Sequence, residues 1–412
     1  MREYLLVFLV AAATTYLLTV IAREIALRTG AVAKVRDRDV HAVPVPYLGG
    51  LAMLGVLVAA FAVARELPFL SRSGPIVFHD AGVVLIAGAL ICAVGVLDDL
   101  FELDALTKLG GQVLAAGFLI AFGIQYMFFT GSDGTQFPIQ PAQGALLTGF
   151  VVVATVNAVN FVDGLDGLAA GVVGIGALAY FVFCYQLANI NHVPLATTGA
   201  LLSAALAGAC GGFLPHNFHQ ARLFMGDSGS MLIGLVLSAS AVTLTGQFAP
   251  DQISEGGAGT QASLLPTLLP LLLPVSILIV PMLDLLLAVV RRTRAGRSPF
   301  APDKQHLHHR LLEIGHSHRR AVLIMYLWAA LVAFGTVLMS LYSDETWTWV
   351  ALGSMAAVTI GLTFLLPKLH HPPEIGPLVD EGAGDASDAS GAGGPSDEGG
   401  GGTPGQSLPE GA

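Results

Sequence analysis

The sequence predicts an all-α polytopic membrane protein with about 11 transmembrane helices. Two observations carry this prediction: the chain is rich in apolar residues and poor in charges, and its apolar residues form runs long enough to cross a bilayer. Of the 412 residues, 54% are hydrophobic and 12% are charged, which is about half of the roughly 25% charge of an average soluble domain. The mean hydropathy is +0.71.

A helix crosses a hydrocarbon core of about 30 Å with about 20 apolar residues. Windows of that length give 11 candidate spans, at residues 4–22, 47–65, 81–98, 109–129, 145–160, 168–187, 196–213, 229–246, 265–290, 321–341 and 348–367. The spans at 145–160 and 265–290 are the least well defined. Only Arg2 precedes the core of the first run and no clear cleavage site follows it, so we interpret that run as an uncleaved span rather than a signal peptide.

The net charge of −10 comes mainly from the end of the chain. Residues 371–412 hold 8 of the 29 acidic residues and no Lys or Arg, and their Gly, Ser and Pro content predicts a disordered acidic tail after a membrane-embedded domain of residues 1–370. The near neutrality of that domain excludes a basic nucleic-acid binder. Cys92, Cys184 and Cys210 lie in apolar runs without metal-ligand spacing, which excludes a disulfide scaffold.

The basic residues predict the orientation, because they are retained on the cytoplasmic side of short loops. With the N-terminus outside, 16 of the 19 Lys and Arg residues fall in inside segments, and only Arg2, Arg65 and Arg72 fall outside. This topology places the C-terminus in the cytoplasm and predicts a multi-pass protein of the plasma membrane.

Five polar clusters all fall in cytoplasmic segments of this topology. They lie at residues 41–50, 98–104, 157–167, 224–229 and 306–309. The number of helices does not require this common placement. We therefore infer one shared site at the cytoplasmic surface, built from stretches that are distant in the sequence.

Asp98 and Asp99 end the third predicted span. They are compatible with carboxylates that merely stop a helix in the headgroup region, but acidic residues at a helix C-terminus oppose the macrodipole. Neighbours on a helix point about 100° apart. This divergence indicates two separate roles, in which one carboxylate binds a cation or positions a phosphate and the other orients Lys108.

The segment 157–167 contains two amides and two carboxylates within 10 residues. Asn157 and Asn160 share a helical face, and a glycine directly follows each of Asp163 and Asp166, which allows the chain to turn back toward the same pocket. Such side chains supply hard oxygen ligands for Mg²⁺ and hydrogen-bond partners for a nucleoside. The alternative is a polar turn in which Asp166 caps the next helix.

Asp227 lies between two glycines just before the eighth span. It is compatible with a simple N-cap, and the backbone N–H groups of a helix start also favour a bound phosphate. Phe224 is compatible with stacking on a base or with anchoring the chain at the membrane interface.

The segment 291–320 is the one long, basic, His-rich inside loop of the predicted topology. Its His306, His308 and His309 lie among arginines and lysines that would disfavour a metal cation, so we expect this loop to bind a diphosphate or sugar phosphate. Binding of lipid headgroups explains some of the arginines but not the histidines. Asp284, in the ninth span, is as compatible with pairing to a nearby basic residue as with a site role.

Together these features predict phosphoryl transfer from a nucleotide-linked donor to a lipid acceptor. Both substrates would be anionic, so a metal ion and basic residues are needed to bring them together. A protein-bound Mg²⁺, for which Mn²⁺ can substitute, is the expected cofactor.

The motifs resemble those of the polyprenyl-phosphate N-acetylhexosamine-1-phosphate transferases, the MraY and WecA family. The resemblance covers about residues 30–320 and is carried by the segments at 96–99, 157–168 and 224–229. The segment 298–311 resembles the WecA branch, whereas the MraY branch carries three adjacent histidines. The resemblance implies UDP-GlcNAc as donor, polyprenyl phosphate as acceptor, and UMP and polyprenyl-diphosphate-GlcNAc as products.

The resemblance also implies a role for each matching residue. Asp227 would bind Mg²⁺ together with Asn160, Asp98 would position the lipid phosphate with help from Asp99, and Lys108 would contact that phosphate. The nucleotide and diphosphate would be surrounded by Asn157, Asp163, Asp166 and Phe224, and the sugar phosphate by Asp303, His306, His308 and His309. A homodimer is compatible with these features.

Two other classes of protein share some of these features. An intramembrane prenyltransferase also uses aspartates and Mg²⁺, but it would need paired Asp-rich motifs and no nucleotide pocket. A polytopic transporter should show repeat symmetry and charged groups at the bilayer midplane, whereas the polar clusters here lie at one surface.

Overall fold

The computed structural model describes residues 1–32, 45–130, 136–189, 196–245, 293–294, 317–342 and 345–364. Within these ranges the helices are α1 (Arg2–Thr29), α2 (Gly49–Glu66), α3 (Pro75–Phe101), α4 (Ala105–Ala121), α5 (Pro141–Val162), α6 (Leu168–Asn189), α7 (Ala196–Asn217), α8 (Gly226–Thr245), α9 (His318–Tyr342) and α10 (Thr346–Phe364). A short 3-10 helix spans Leu70–Arg72, and two strands, β1 (Phe128–Thr130) and β2 (Gln136–Pro138), form an antiparallel hairpin.

The helices of the described segments correspond to ten of the eleven predicted spans. Nine of them are long and apolar enough to cross a membrane, and α4, with 17 residues, is shorter. The protein is therefore an all-α polytopic membrane protein apart from its small hairpin. The predicted span at 265–290 and the predicted tail at 371–412 lie outside the described residues, and the total count and the orientation stay predictions.

The predicted span at 109–129 is wrong at both ends. Helix α4 begins at Ala105, where the Asp104 side chain accepts hydrogen bonds from the N–H groups of Leu106 and Thr107. It stops at Ala121, because Gly123 adopts a left-handed conformation with φ of 90°. The apolar residues that follow belong to a turn and to β1, which a hydropathy window cannot distinguish from helix.

Helix α3 begins earlier than the predicted span at 81–98. Pro75 occupies its first turn, where a missing backbone N–H costs nothing. The polar residues His79 and Asp80 lower the hydropathy of this turn, which explains why the prediction started after them.

Helices α7 and α8 are the most deeply buried of the described helices. Helix α7 packs against α1 and α6, and α8 packs against α3 and α5. Helices α9 and α10 lie at the edge of this group, where α9 packs on α6 and α10 on α9. The central position of α8 matters for function because its first turn carries Asp227.

The first turn of α8 approaches the backbone of α2 and α3 very closely. A Cβ atom added to Gly50 would lie 2.2 Å from the backbone nitrogen of Gly229, and one added to Gly95 would lie 2.4 Å from the backbone nitrogen of Ser228. The Gly49 and Gly50 N–H groups also donate to the carbonyls of Phe224 and Met225. The described part of the 41–50 cluster therefore holds the 224–229 cluster in place.

We expect Gly50→Ala to destabilise the protein by about 1–3 kcal/mol, because the new methyl group overlaps backbone atoms that cannot rotate away. Gly117→Ala is the matched control, since a Cβ there meets nothing within 4 Å and alanine favours a helix. Thermal unfolding in detergent measures both variants. Equal midpoints for the two variants would contradict the close packing of α2 on α8.

Candidate active site

The ends of four helices meet at one place and bring together residues that are far apart in the sequence. Asp98 lies near the end of α3, Lys108 in the first turns of α4, Asn160 near the end of α5 and Asp227 in the first turn of α8. Three of the predicted polar clusters, at 98–104, 157–167 and 224–229, therefore form one site.

The Lys108 ammonium lies between two carboxylates. Its Nζ is 2.5 Å from Asp98 Oδ2 and 2.7 Å from Asp227 Oδ2. The exposed fraction of the side chain is 7% for Asp98, 27% for Asp227 and 30% for Lys108. Partial burial strengthens this pairing relative to a surface ion pair. It also means that removing one of the three charged groups leaves the others poorly compensated.

Asn160 orients the Asp227 carboxylate. Its amide nitrogen donates to Asp227 Oδ1 at 3.0 Å and to Ser230 Oγ at 2.9 Å. Ser230 in turn donates to the Gly226 carbonyl. Asp227 therefore receives a hydrogen bond on one oxygen and faces Lys108 with the other.

The two adjacent aspartates make different contacts, as their divergence on a helix predicts. Asp98 Oδ1 accepts the Leu103 N–H at 2.8 Å and its Oδ2 meets Lys108. Asp99 instead accepts the backbone N–H groups of Asp227 and Ser228, at 2.8 and 3.2 Å. Asp99 thus accepts hydrogen bonds from N–H groups in the first turn of α8, which lack acceptors within the helix. Its neighbour Asp98 orients Lys108.

The hydrogen bonds of Asp99 decide between two interpretations of Asp227. The interpretation of Asp227 as a simple N-cap is wrong, because Asp99 of α3 provides the acceptor for the first N–H groups of α8. The Asp227 side chain is thereby left to face Lys108 and Asn160.

A pair of amides lies one turn below Lys108 and Asn160. Gln112 donates to Asn157 Oδ1 at 3.3 Å, and Asn157 donates to Gln112 Oε1 at 2.6 Å. Gln112 is only 3% exposed, whereas Asn157 is exposed. The pair fixes α4 against α5 and leaves part of Asn157 accessible to a ligand.

Sequence reasoning missed Gln112 and Asn217. Gln112 follows Lys108 by four residues, so both lie on one face of α4, and this spacing is the signal that could have identified it. Asn217 accepts the Gly167 N–H at 3.0 Å and donates to the Leu223 carbonyl at 3.0 Å. No motif in the sequence marks that contact.

Asp163 and Asp166 lie in the turn between α5 and α6. Asp166 Oδ2 accepts the Ala221 N–H at 3.1 Å, which joins this turn to the loop before α8. Burial raises the pKa of the Asp163 carboxyl well above its usual range, and nearby carboxylates, of which Asp227 has the largest effect, raise it further. The Asp163 carboxyl therefore takes up a proton more readily than an exposed aspartate does.

The remaining predicted site residues divide into two groups. The Phe224 ring lies beside Tyr47, with 6.2 Å between the ring centroids, and it is partly exposed. Asp303, His306, His308 and His309 lie outside the described residues, as does Asp284, so their roles stay predictions.

The residues around Lys108 fit a magnesium ion. The described residues include no group of three or more His, Cys, Asp or Glu side chains suited to a metal. Mg²⁺, however, is commonly held by one or two carboxylates, with water and substrate phosphates completing its octahedron. The Oδ2 atoms of Asp98 and Asp227 already converge on one cationic group, and these are the two protein oxygens that would hold such an ion.

Comparison with known proteins places the chain in a family. It is 48% identical, over 90% of both chains, to a decaprenyl-phosphate N-acetylglucosaminephosphotransferase of Mycobacterium tuberculosis. The chain belongs to the polyprenyl-phosphate N-acetylhexosamine-1-phosphate transferases. The family description "Glycosyl transferase family 4" matches residues 81–245.

Other transferases of this family show the same relationship. A decaprenyl-phosphate N-acetylglucosaminephosphotransferase of Mycolicibacterium smegmatis is 47% identical over 91% of both chains. An undecaprenyl-phosphate alpha-N-acetylglucosaminyl 1-phosphate transferase of Yersinia pestis is 28% identical over 83% of this chain and 86% of its own. The segment matched by the family description contains Asp98, Lys108, Asn160 and Asp227, so the site described above lies in the part that defines the transferase family.

We expect Asn157→Leu to destabilise the protein more than Gln112→Leu. The first change leaves the buried Gln112 amide without its partner, which costs about 1–3 kcal/mol, whereas the second leaves an exposed Asn157 that water can solvate. The double variant should resemble Gln112→Leu alone. Thermal unfolding in detergent tests this order, and additive losses in the double variant would contradict the pairing.

We expect Asp163→Asn to raise the thermal midpoint at pH 8. A carboxyl with a raised pKa in the folded state destabilises the fold as the pH rises above its unfolded value of about 3.9, and the loss is complete above the folded pKa. The gain in the variant should therefore shrink toward pH 4. Asp104→Asn is the control, because a hydrogen bond from the Thr107 hydroxyl lowers the pKa of Asp104, and this variant should show no such gain. Equal midpoints for wild type and Asp163→Asn at pH 8 would refute the raised pKa.

Proposed function

We propose that this chain transfers GlcNAc-1-phosphate from UDP-GlcNAc to a polyprenyl phosphate, with polyprenyl-diphosphate-GlcNAc and UMP as products. The observation that carries the proposal is the convergence of Asp98, Lys108 and Asp227 at the ends of apolar helices. The names of relatives at 47–48% identity add the substrate class.

The position of the site suits one lipid and one soluble substrate. Helices α3 and α5 end at the site, and α4 and α8 begin there. Such a place lies near a membrane surface, where a prenyl chain can stay among the helices while its phosphate reaches a nucleotide sugar. The distribution of basic residues favours the cytoplasmic face of the plasma membrane.

Charge neutralisation is the main demand of the reaction, because a phosphate must approach a diphosphate. We assign the metal site to Asp227 and Asp98. This replaces the expectation that Asn160 is the second ligand, because the Asn160 amide nitrogen donates to Asp227 and Ser230 and so orients Asp227. Bound Mg²⁺, or Mn²⁺ in its place, would supply positive charge to the donor diphosphate. Lys108 supplies the second positive charge and is assigned to the acceptor phosphate.

Direct displacement needs no protein base. A phosphate monoester with a second pKa near 6 is largely ionised at neutral pH, so its oxygen can attack the β-phosphorus of UDP-GlcNAc. The bond from that phosphorus to the bridging oxygen breaks, and UMP leaves with the electron pair. In this scheme Asp98 is a ligand of the metal, and Asp99 acts by holding the first turn of α8.

The donor is assigned to the surface beside these residues. We assign Asn157, whose side chain is exposed, and Asp163, Asp166 and Phe224 to the nucleotide and diphosphate. Asp303, His306, His308 and His309 are assigned to the sugar phosphate on the basis of the sequence motif alone.

The test is release of UMP by the purified protein in detergent with Mg²⁺. UMP should appear from UDP-GlcNAc only when polyprenyl phosphate is added, and little should form from UDP-MurNAc-pentapeptide. Release without the lipid acceptor would refute the transfer reaction, and preference for the pentapeptide donor would overturn the choice of sugar.

We expect Asp227→Asn to lower turnover by at least about 100-fold, because an uncharged amide cannot hold the metal or pair with Lys108. Asp104→Asn makes the same chemical change at the exposed start of α4 and should stay within a few-fold of wild type. Thermal unfolding shows whether both variants are folded. Full activity of a folded Asp227→Asn variant would remove Asp227 from the site.

A further inference from the structure

Tyr326 of α9 packs into a notch at the start of α6. Two glycines one helical turn apart, Gly167 and Gly171, form this notch. A Cβ atom added to Gly171 would overlap the Tyr326 ring at Cζ, and one added to Gly167 would lie 3.2 Å from the Tyr326 hydroxyl oxygen. The Phe218 ring lies beside the phenol, with 6.5 Å between the ring centroids. The phenol ring therefore packs against two glycines and one aromatic ring.

The Tyr326 hydroxyl holds the peptide groups around Gly167. It donates to the Gly167 carbonyl, which also accepts the Gly171 N–H at 2.9 Å. A carbonyl oxygen has two lone pairs and can accept both hydrogen bonds. The Gly167 N–H in turn donates to Asn217 Oδ1 at 3.0 Å. Gly167 is left-handed, with φ of 77°, and because glycine is conformationally permissive, these hydrogen bonds select one conformation for the two peptide groups that flank it.

Gly167 is next to residues that are assigned to the nucleotide. Asp166 directly precedes it, and Asp163 lies in the same turn between α5 and α6. Asp166 is held on its other side, where its Oδ2 accepts the Ala221 N–H at 3.1 Å. Loss of a restraint on Gly167 would let this turn populate other conformations. A ligand binds more weakly when the conformation that receives it is only partly populated.

We infer that Tyr326 is a positioning residue for the nucleotide part of the donor. Its hydroxyl holds the Gly167 carbonyl and thereby keeps the turn with Asp163 and Asp166 in the conformation that receives the nucleotide. This inference rests on the proposed function for the identity of the ligand. Tyr326 lies outside the segment 81–245 that the family description matches. The inference thus gives α9, at the edge of the helix group, a role in donor binding.

The inference is tested with Tyr326→Phe, which removes only the hydroxyl and keeps the ring in the notch. UMP release by the full-length protein in detergent should show a KM for UDP-GlcNAc about fivefold above that of wild type, because one net hydrogen bond corresponds to about that factor in an equilibrium constant. UMP should bind about fivefold more weakly by isothermal titration calorimetry. The kcat and the KM for polyprenyl phosphate should stay within about twofold, since a loss of uniform binding leaves kcat unchanged.

Tyr342→Phe is the matched control. The Tyr342 hydroxyl accepts a hydrogen bond from the Gln186 amide at 3.0 Å, so it also joins α9 to α6, but at the last residue of α9. This variant should keep the wild-type KM for UDP-GlcNAc and the wild-type affinity for UMP. The same rise in both variants, or an equal rise in KM for both substrates in Tyr326→Phe, would show a general effect of α9 packing and would overturn the inference.

Thermal unfolding shows which variants are folded. Tyr326→Met is a second variant without the hydroxyl and serves if Tyr326→Phe does not fold, because methionine fills irregular gaps. Unchanged UMP affinity in a folded variant would overturn the inference.

UMP binding separates this inference from the proposed function, because binding needs neither the acceptor nor the transfer step. If wild type converts UDP-GlcNAc and the variants bind UMP as wild type does, only the role of Tyr326 fails. If the variants bind UMP more weakly and wild type transfers nothing, the positioning role stands and the proposed reaction fails. Absence of UMP binding by wild type would overturn the inference.

Discussion

The site depends on one ammonium group that holds two carboxylates together. Asp98 and Asp227 come from helices that are distant in the sequence, and their like charges would repel each other at the ends of apolar helices, where water screens poorly. Lys108 bridges the two at 2.5 and 2.7 Å and thereby joins α3, α4 and α8 at one point. The same arrangement brings two carboxylates and one ammonium group together where these helices begin or end.

Backbone packing makes this arrangement possible. Gly50 and Gly95 let the first turn of α8 approach α2 and α3 at distances that a side chain would prevent. Asp99 then accepts the N–H groups of Asp227 and Ser228, so the direction of Asp227 is set from the same helix that carries Asp98. The two adjacent aspartates thus make different contacts: Asp99 holds the start of α8 and Asp98 pairs with Lys108.

Some of this structure could be predicted from the sequence and some could not. Apolar run length located the ten helices of the described residues, because membrane thickness fixes the length of a span. Run length failed at 109–129, where a left-handed Gly123 ends α4, because a hydropathy window does not detect a turn within an apolar run. The polar clusters indicated Asp98, Asn160 and Asp227, and the divergence of Asp98 and Asp99 predicted that one of them orients Lys108. The contact of Lys108 with Asp227 and the buried partner Gln112 depend on how helices are rotated against one another, which a single sequence does not reveal.

The central claim is that α3, α4 and α8 converge at Lys108 and Asp227. Cross-linking tests it most directly, with Lys108→Cys and Asp227→Cys introduced together after the three buried cysteines are replaced by alanine. A short bifunctional thiol reagent should join the two positions within one chain, as shown by mass spectrometry of the linked peptides, while each single-cysteine variant gives no such product. Failure of a folded double-cysteine protein to cross-link, with both thiols accessible to a monofunctional reagent, would contradict the convergence and the site built on it.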